Sequence, residues 1–446
     1  MHPGSVFLQS LWAALYAAPY VCLAACLWRR IALLEAAERR LLARLWAVAL
    51  AGGLLWAAAI HFNPWAHEGL FYHKDDASYD RWGRRIAERW RAGERPDLSR
   101  DYEIGTLHTG YYRLVAAVYF VVGPRPGLMI LLNILAGAAL PVALYLLTLS
   151  FAGPEAARRA GWIGAWYPSF WFHSAFLLRD TWITLFFLAA LAIYLDMGDR
   201  AERRWGMAAV RWLCLAAVAA QLFLLRYYLV VVLALGCLLY EMAGSKRRAL
   251  VSGAILGALA LAFAARFSPP VAALEDRVAP QIGHLQDRMI QSFTWAIPRD
   301  LSSLLPVAER FGVGLIKLFL APFAWATKGG YVIDYFLWPG QWMIYLLLLP
   351  FGLWGMAHAV RYDLRQAFVL LFPFVAGAYG FCVAYGGGVA RQRMFLDALL
   401  IVFAGFIQAR RKEGLGPARR WLFCYYVCFG LFTASHMASL FYRGIW

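Results

Sequence analysis

The chain has 446 residues, 62% of them hydrophobic, and a formal charge of +17 from 43 Lys and Arg against 26 Asp and Glu. Long apolar runs and a positive mean hydropathy exclude a soluble enzyme, and the continuity of those runs excludes a β-barrel. The charge does not point to nucleic acid, because the Lys and Arg residues are scattered through short loops between apolar runs, as the positive-inside rule produces.

In chain order, the segment Met1 to Ser10 lacks a charged n-region and a small-residue cleavage site, so no signal peptide is expected. Candidate spans are 11–28, 46–62, 127–150, 161–177, 181–198, 207–225, 228–243, 249–266, 340–357, 367–385, 394–409 and 420–438, near the roughly 17–25 residues that a crossing needs. If these spans cross, the basic loops at 29–45, 151–160, 199–206, 244–248, 358–366 and 410–420 all fall on one side, the cytoplasm. The apolar pieces 107–122 and 311–326 then do not cross and read as interfacial or re-entrant helices; crossing by both would give the same later topology.

The opposite face receives two long loops, 63–126 and 267–339, and short turns at Arg179-Asp180, Arg226-Tyr227 and 386–393. Within the second loop, Val271, Leu274, Val278, Ile282, Leu285 and Met289 trace one side of a surface helix. The expected fold is therefore an all-α polytopic membrane protein. It is one integral membrane domain, residues 1–446, with about 12 transmembrane helices and interfacial juxtamembrane helices in two large outer loops. Cys22, Cys26, Cys214, Cys237, Cys382, Cys424 and Cys428 all lie in apolar runs and read as packing residues.

Chemistry is expected on the elaborated face. The segment His73–Trp90 follows a span and places Tyr79, Trp82, Ile86 and Trp90 on one side of a helix, with Arg81, Arg84, Arg85 and Arg89 on the other. At its head stand Asp75 and Asp76. A carboxylate at the bilayer surface can act as a general base, and Asp is also a favoured residue at a helix start; both roles can hold for one pair. His73 beside two Asp is a weak metal signal, and no cofactor is expected.

Arginines at outer span ends form a second constellation: Arg391 and Arg393 in G-G-G-V-A-R-Q-R-M, Arg226 in L-L-R-Y-Y and Arg179 in L-L-R-D-T. Paired guanidinium donors suit a phosphate at the membrane surface, whereas the plainer reading is snorkelling to lipid headgroups. Lys317 lies in an apolar segment, where it is costly unless it meets an anion. His108, His173 and His284 are near the same face, where a lone His is more often structural.

These residues resemble the GT-C superfamily of polyprenyl-phosphate-dependent glycosyltransferases, in the branch of protein mannosyltransferases and the bacterial aminoarabinose transferase (glycosyltransferase family 39-like). The motifs are D-D-A-S-Y at 75–79, G-T-L-H-T-G-Y-Y at 105–112, G-P-R-P-G-L-M-I-L-L-N-I-L-A-G at 123–137, Y-P-S-F-W-F-H-S-A-F-L-L-R-D-T-W at 167–182 and A-R-Q-R at 390–393. Two departures stand out. Thr109 and Gly110 replace the family's prolines after His108, and span 11–28 precedes what would be its first helix.

The resemblance implies a sugar donor linked by one phosphate to a polyprenyl lipid, inversion at the anomeric carbon, and an acceptor that is a glycan, lipid or protein. It makes Asp75 the catalytic base, with Asp76 the close alternative, and sets Asp180, Tyr79 and His108 in the same cavity. Arg391 and Arg393 would hold the donor phosphate. Two other classes remain open: an O-antigen polymerase or ligase using a polyprenyl diphosphate-linked glycan, which would depend on outer arginines, and a transporter or flippase, which predicts internal repeats and mid-span charges. High Ala, Leu and Arg usage fits a GC-rich bacterium, hence an inner-membrane protein with its site facing the periplasm.

Overall fold

The computed structural model describes residues 3–62, 74–94, 109–199, 205–244, 332–385, 393–410, 420–427 and 430. Its main elements are α1 (Pro3–Ala32), α2 (Ala36–His61), α3 (Lys74–Arg91), α4 (Gly110–Val122), α5 (Pro126–Ala152), α6 (Pro154–Ala165), α7 (Pro168–Ser174), α8 (Asp180–Asp199), α9 (Trp205–Gly244), α10 (Val332–Tyr362), α11 (Leu364–Tyr385) and α12 (Met394–Ala409). Among the described residues every element is a helix, and three stretches, Ala36–His61, Pro126–Ala152 and Val210–Ala243, are long and apolar enough to cross a membrane.

The chain is an integral membrane bundle with α5 at its centre. That helix is apolar on all sides, so no face is left for water, and most of its residues are buried. Around it the termini sort into two ends. At one end Arg30 of α1 donates to Ser150 (2.8 Å), Asp196 (3.3 Å) and the Ala192 carbonyl (3.1 Å). At the other end His61 closes α2 against the Ala175 carbonyl at 2.8 Å.

The ends are named below for Asp196 and Asp180, the acids near the two termini of α8. The short basic connection expected at 29–45 adjoins the Asp196 end; in the one expected at 199–206, residues 200–204 lie outside the described residues. The turns at Arg179-Asp180 and Arg226-Tyr227 lie at the Asp180 end, as expected.

Segment α9 is a helical hairpin. Its helical geometry breaks at Arg226, at φ −159° and ψ 88°. Arg211, early in the segment, pairs with Asp196 at 3.4 Å. Near the segment's other terminus, Glu241 and the Cys237 carbonyl accept from Tyr194 at 2.9 and 3.1 Å. Both termini therefore meet the last turns of α8, and the chain reverses at Arg226, between the expected spans 207–225 and 228–243.

The crossing expected at 161–177 starts earlier. Gly153, at φ 86°, ends α5 and Pro154 opens α6 at once. Glu155, Arg158 and Arg159 point outward and pair with one another, while Ala156, Ala157 and Ala160 pack inward. Mean hydropathy reads those charges as a loop, because it averages over a helix whose charged side faces out. The crossing then breaks at Trp166-Tyr167, where Pro168 starts α7.

Close helix approach relies on glycine. A Cβ at Gly355 would sit 2.1 Å from the Phe403 carbonyl oxygen, and one at Gly405 2.7 Å from the Ala160 Cβ. These contacts seat α12 between α10 and α6.

Of the segment 107–122, Gly110–Val122 forms α4, which does not cross. At about 1.5 Å per residue its 13 residues fall well short of a bilayer core of ~30 Å. Gly110 lies against Leu224, two residues before Arg226, and α5 leaves from the Asp180 end just after Val122. The expectations at 249–266, 311–326 and for the second outer loop, 267–339, lie outside the described residues except for its last few, as do 63–73 and 95–108 of the first loop.

Candidate active site

Helix α3 carries its acids in the first turn, where the helix dipole favours negative charge. Its apolar side meets α4 rather than lipid. Ile86 and Trp90 pack with Ala116, Ala117 and Phe120, and Gly83 lets Val115 approach so closely that a Cβ would lie 2.4 Å from its Cγ1.

Polar bonds complete the join. Tyr119 donates to Asp80 at 2.6 Å, Asp80 pairs with Arg84 at 3.1 Å, and Arg91 donates to the Tyr119 and Phe120 carbonyls. The exposed side keeps Arg81, Arg84 and Arg85, with Arg81 and Arg85 over the Trp82 ring. The periodicity of 79–90 is thus that of a helix paired with another helix at the bundle's end.

This pairing delivers Tyr79 and the acid pair to the Asp180 end. Tyr79 is wedged between Tyr111 and Tyr112, with ring centroids 4.8 and 4.7 Å away. Its hydroxyl lies well above the ordinary tyrosine pKa. Burial is the main cause, opposed by Arg179 and reinforced by Tyr112, Asp180 and Asp75, so all four stand within electrostatic reach. Arg179 is likewise in reach of Tyr79, Asp180, Tyr112 and Tyr228. Asp76 is fully buried and faces the Tyr111 hydroxyl electrostatically, whereas Asp75 is half-exposed. Of the pair, Asp75 is the one that a molecule from outside can reach.

Asp180 and Arg226 form the floor. Their side chains are 6% and 5% exposed and meet at 3.0 Å. Asn133 of α5 holds the strand leading to them. Its amide donates to the Phe176 carbonyl at 2.6 Å and the Leu178 carbonyl at 2.9 Å, and its oxygen accepts from Trp182 at 2.7 Å and from the Tyr111 hydroxyl at 3.2 Å.

The structure therefore brings together Asp75, Asp76, Tyr79, Arg179, Asp180 and Arg226. His108, Lys317 and Arg391 lie outside the described residues. Arg393, the last of the expected set, is buried at the start of α12 beside Asp397, with Nε 3.7 Å from Oδ1. Asn133, Tyr111 and Asp397 were not singled out from sequence. Asn133 and Asp397 did carry a signal, since a polar residue inside an apolar run is costly unless it has partners. Among the described residues no three His, Cys, Asp or Glu side chains group as a metal centre would need.

No protein-family model and no curated protein matches the sequence. Among solved structures, the Archaeoglobus fulgidus oligosaccharyltransferase in its apo form matches with a TM-score of 0.51 at 14% identity, over 84% of this chain and 51% of that one. The oligosaccharyltransferase AglB of the same organism, in complex with an inhibitory peptide and a dolichol-phosphate, matches at 0.46 and 15% identity, over 89% and 55%. This chain spans about half the length of those structures. What is shared with the first of these is the fold, an all-α helical bundle.

Proposed function

We propose that this protein is a GT-C glycosyltransferase that moves a hexosyl or pentosyl unit from a polyprenyl-phosphate donor to an acceptor hydroxyl, with inversion. The observation that carries this reading is the meeting of the Asp75-Asp76 pair with Tyr79, Arg179, Asp180 and Arg226 at one end of a GT-C-type bundle. Asp75 is the general base. It takes the acceptor proton as the acceptor oxygen attacks the anomeric carbon, while the bond from that carbon to the phosphate oxygen breaks and the electron pair leaves with the lipid phosphate. Arginine at this end stabilises the charge that grows on the phosphate.

Energetics favours this position. At the bilayer surface a carboxylate keeps its water and its charge, whereas mid-bilayer it would cost roughly 2.5–3.5 kcal/mol on insertion scales. A lipid donor enters from the membrane, and a glycan, lipid or protein acceptor from outside. The site faces the periplasm of a bacterial inner membrane, and no nucleic acid takes part.

The test is transfer in proteoliposomes with Asp75→Asn and Asp76→Asn. Asp75→Asn is expected to lose about 10²–10⁴-fold in rate at unchanged folding. Full activity in both variants overturns the reading. If activity were then lost in Arg179→Ala, the polymerase or ligase class would replace it.

A further inference from the structure

The start of α12 holds a buried group of which only Arg393 was expected from the sequence to meet a phosphate. Tyr167, Asp397 and Arg393 are 2%, 2% and 7% exposed. Tyr167 stands at the break between α6 and α7, and its hydroxyl donates to Asp397 Oδ2 at 2.9 Å. The other oxygen, Oδ1, faces Arg393 Nε at 3.7 Å and has no hydrogen bond. The group belongs to the Asp180 half of the bundle. Phe395 packs on Phe187, two turns into α8 (5.3 Å), while the far end of α12 packs on Phe151.

We propose that Asp397 and Tyr167 are positioning residues that aim the Arg393 guanidinium at the phosphate of the lipid-linked donor. The inference rests on the glycosyltransferase reading. A guanidinium is planar, with Nε on one edge and the Nη pair, which grips a phosphate through two parallel bonds, at its tip. The carboxylate approaches from the Nε side, so it orients the group without occupying that tip. Tyr167 fixes the carboxylate in turn, because its bond to Oδ2 leaves Oδ1 turned to Arg393. The broken crossing thereby supplies the anchor: an unbroken helix from Pro154 would lack the Tyr167-Pro168 junction.

The test is binding of farnesyl monophosphate, with farnesol as the uncharged comparison, to purified full-length protein in detergent. Asp397→Asn and Tyr167→Phe are each expected to weaken the phosphate roughly tenfold or more, to leave farnesol unchanged, and to add nothing further in an Arg393→Ala background. Melting temperature checks that each variant folds, and the milder Tyr167→Phe serves if Asp397→Asn does not. If Arg393→Ala loses phosphate while Asp397→Asn and Tyr167→Phe bind as wild type, positioning fails and the donor reading stands. Equal losses with and without Arg393 mean a structural role and also overturn it. Wild-type phosphate binding by Arg393→Ala removes Arg393 from the donor site, and the inference with it.

Discussion

Asp180, the first residue of α8, accepts from the Arg226 guanidinium at 3.0 Å, at the single break that turns α9 into a hairpin. A carboxylate at one helix start thus answers the cation at the reversal of the next helix pair. Three membrane segments end at one point, and Tyr79 and Arg179 stand beside it.

Both partners are almost wholly buried, so removing one leaves the other charge buried without its 3.0 Å partner. Arg226→Ala or Asp180→Ala is expected to cost about 3–5 kcal/mol, read as a fall in detergent melting temperature. The double variant should recover part of the loss, since no lone charge remains. Additive losses would show that the pair is not coupled.

Asn133 tests whether the strand before Arg179 must be held. Asn133→Asp keeps the shape but replaces the donors to the Phe176 and Leu178 carbonyls with a carboxylate, so the strand is pushed away. A loss of roughly 1–3 kcal/mol should accompany loss of transfer. Hydrogen exchange should rise at 175–179 before it rises in α5.

Gly83 is the point of closest approach between α3 and α4. Gly83→Val would drive two methyl groups into Val115, at an overpacking cost of about 1–3 kcal/mol. The expected result is a membrane bundle that stays folded while α3 loosens, read as faster exchange at 74–91 and reduced transfer. Unchanged exchange there would refute the pairing.

The α3–α4 junction buries Tyr79, Tyr111, Tyr112 and Tyr119, each held above its ordinary value of 10.0, mainly by burial. A raised folded-state value means that the unfolded chain loses its protons first. Stability from these tyrosines is therefore full below about pH 10 and falls as pH rises above it. Alkaline titration followed by tyrosinate absorbance should show late, cooperative ionisation, and Tyr79→Phe should lessen the alkaline loss of melting temperature.

Much of the bundle could be read along the chain. The hairpin at Arg226-Tyr227 and the turn at Arg179-Asp180 were legible because each interrupts an apolar run with a charge that a bilayer core does not tolerate. The start of α6 was not, since Glu155, Arg158 and Arg159 sit on the outer side of a helix and look like a loop when averaged. The pattern of 79–90 gave a helix with one apolar side, and nothing in periodicity distinguishes a lipid partner from α4. Asn133 and Asp397 are polar residues inside apolar spans, but Phe176 and Tyr167, which help to satisfy them, are 43 and 230 positions away.

From the order of residues alone came a polytopic helical protein, two sets of turns that differ in charge, and an acidic pair at the head of an amphipathic helix. These follow from local physics: hydration cost per residue, helical period and the charge bias of loops. Only the tertiary structure decided that Asp75, Tyr79, Arg179, Asp180 and Arg226 share one end, that Asp76 is buried while Asp75 is half-exposed, and that Tyr167 answers Asp397. Those relations depend on which helices touch, and that is settled by close packing at glycines and by hydrogen bonds between distant segments.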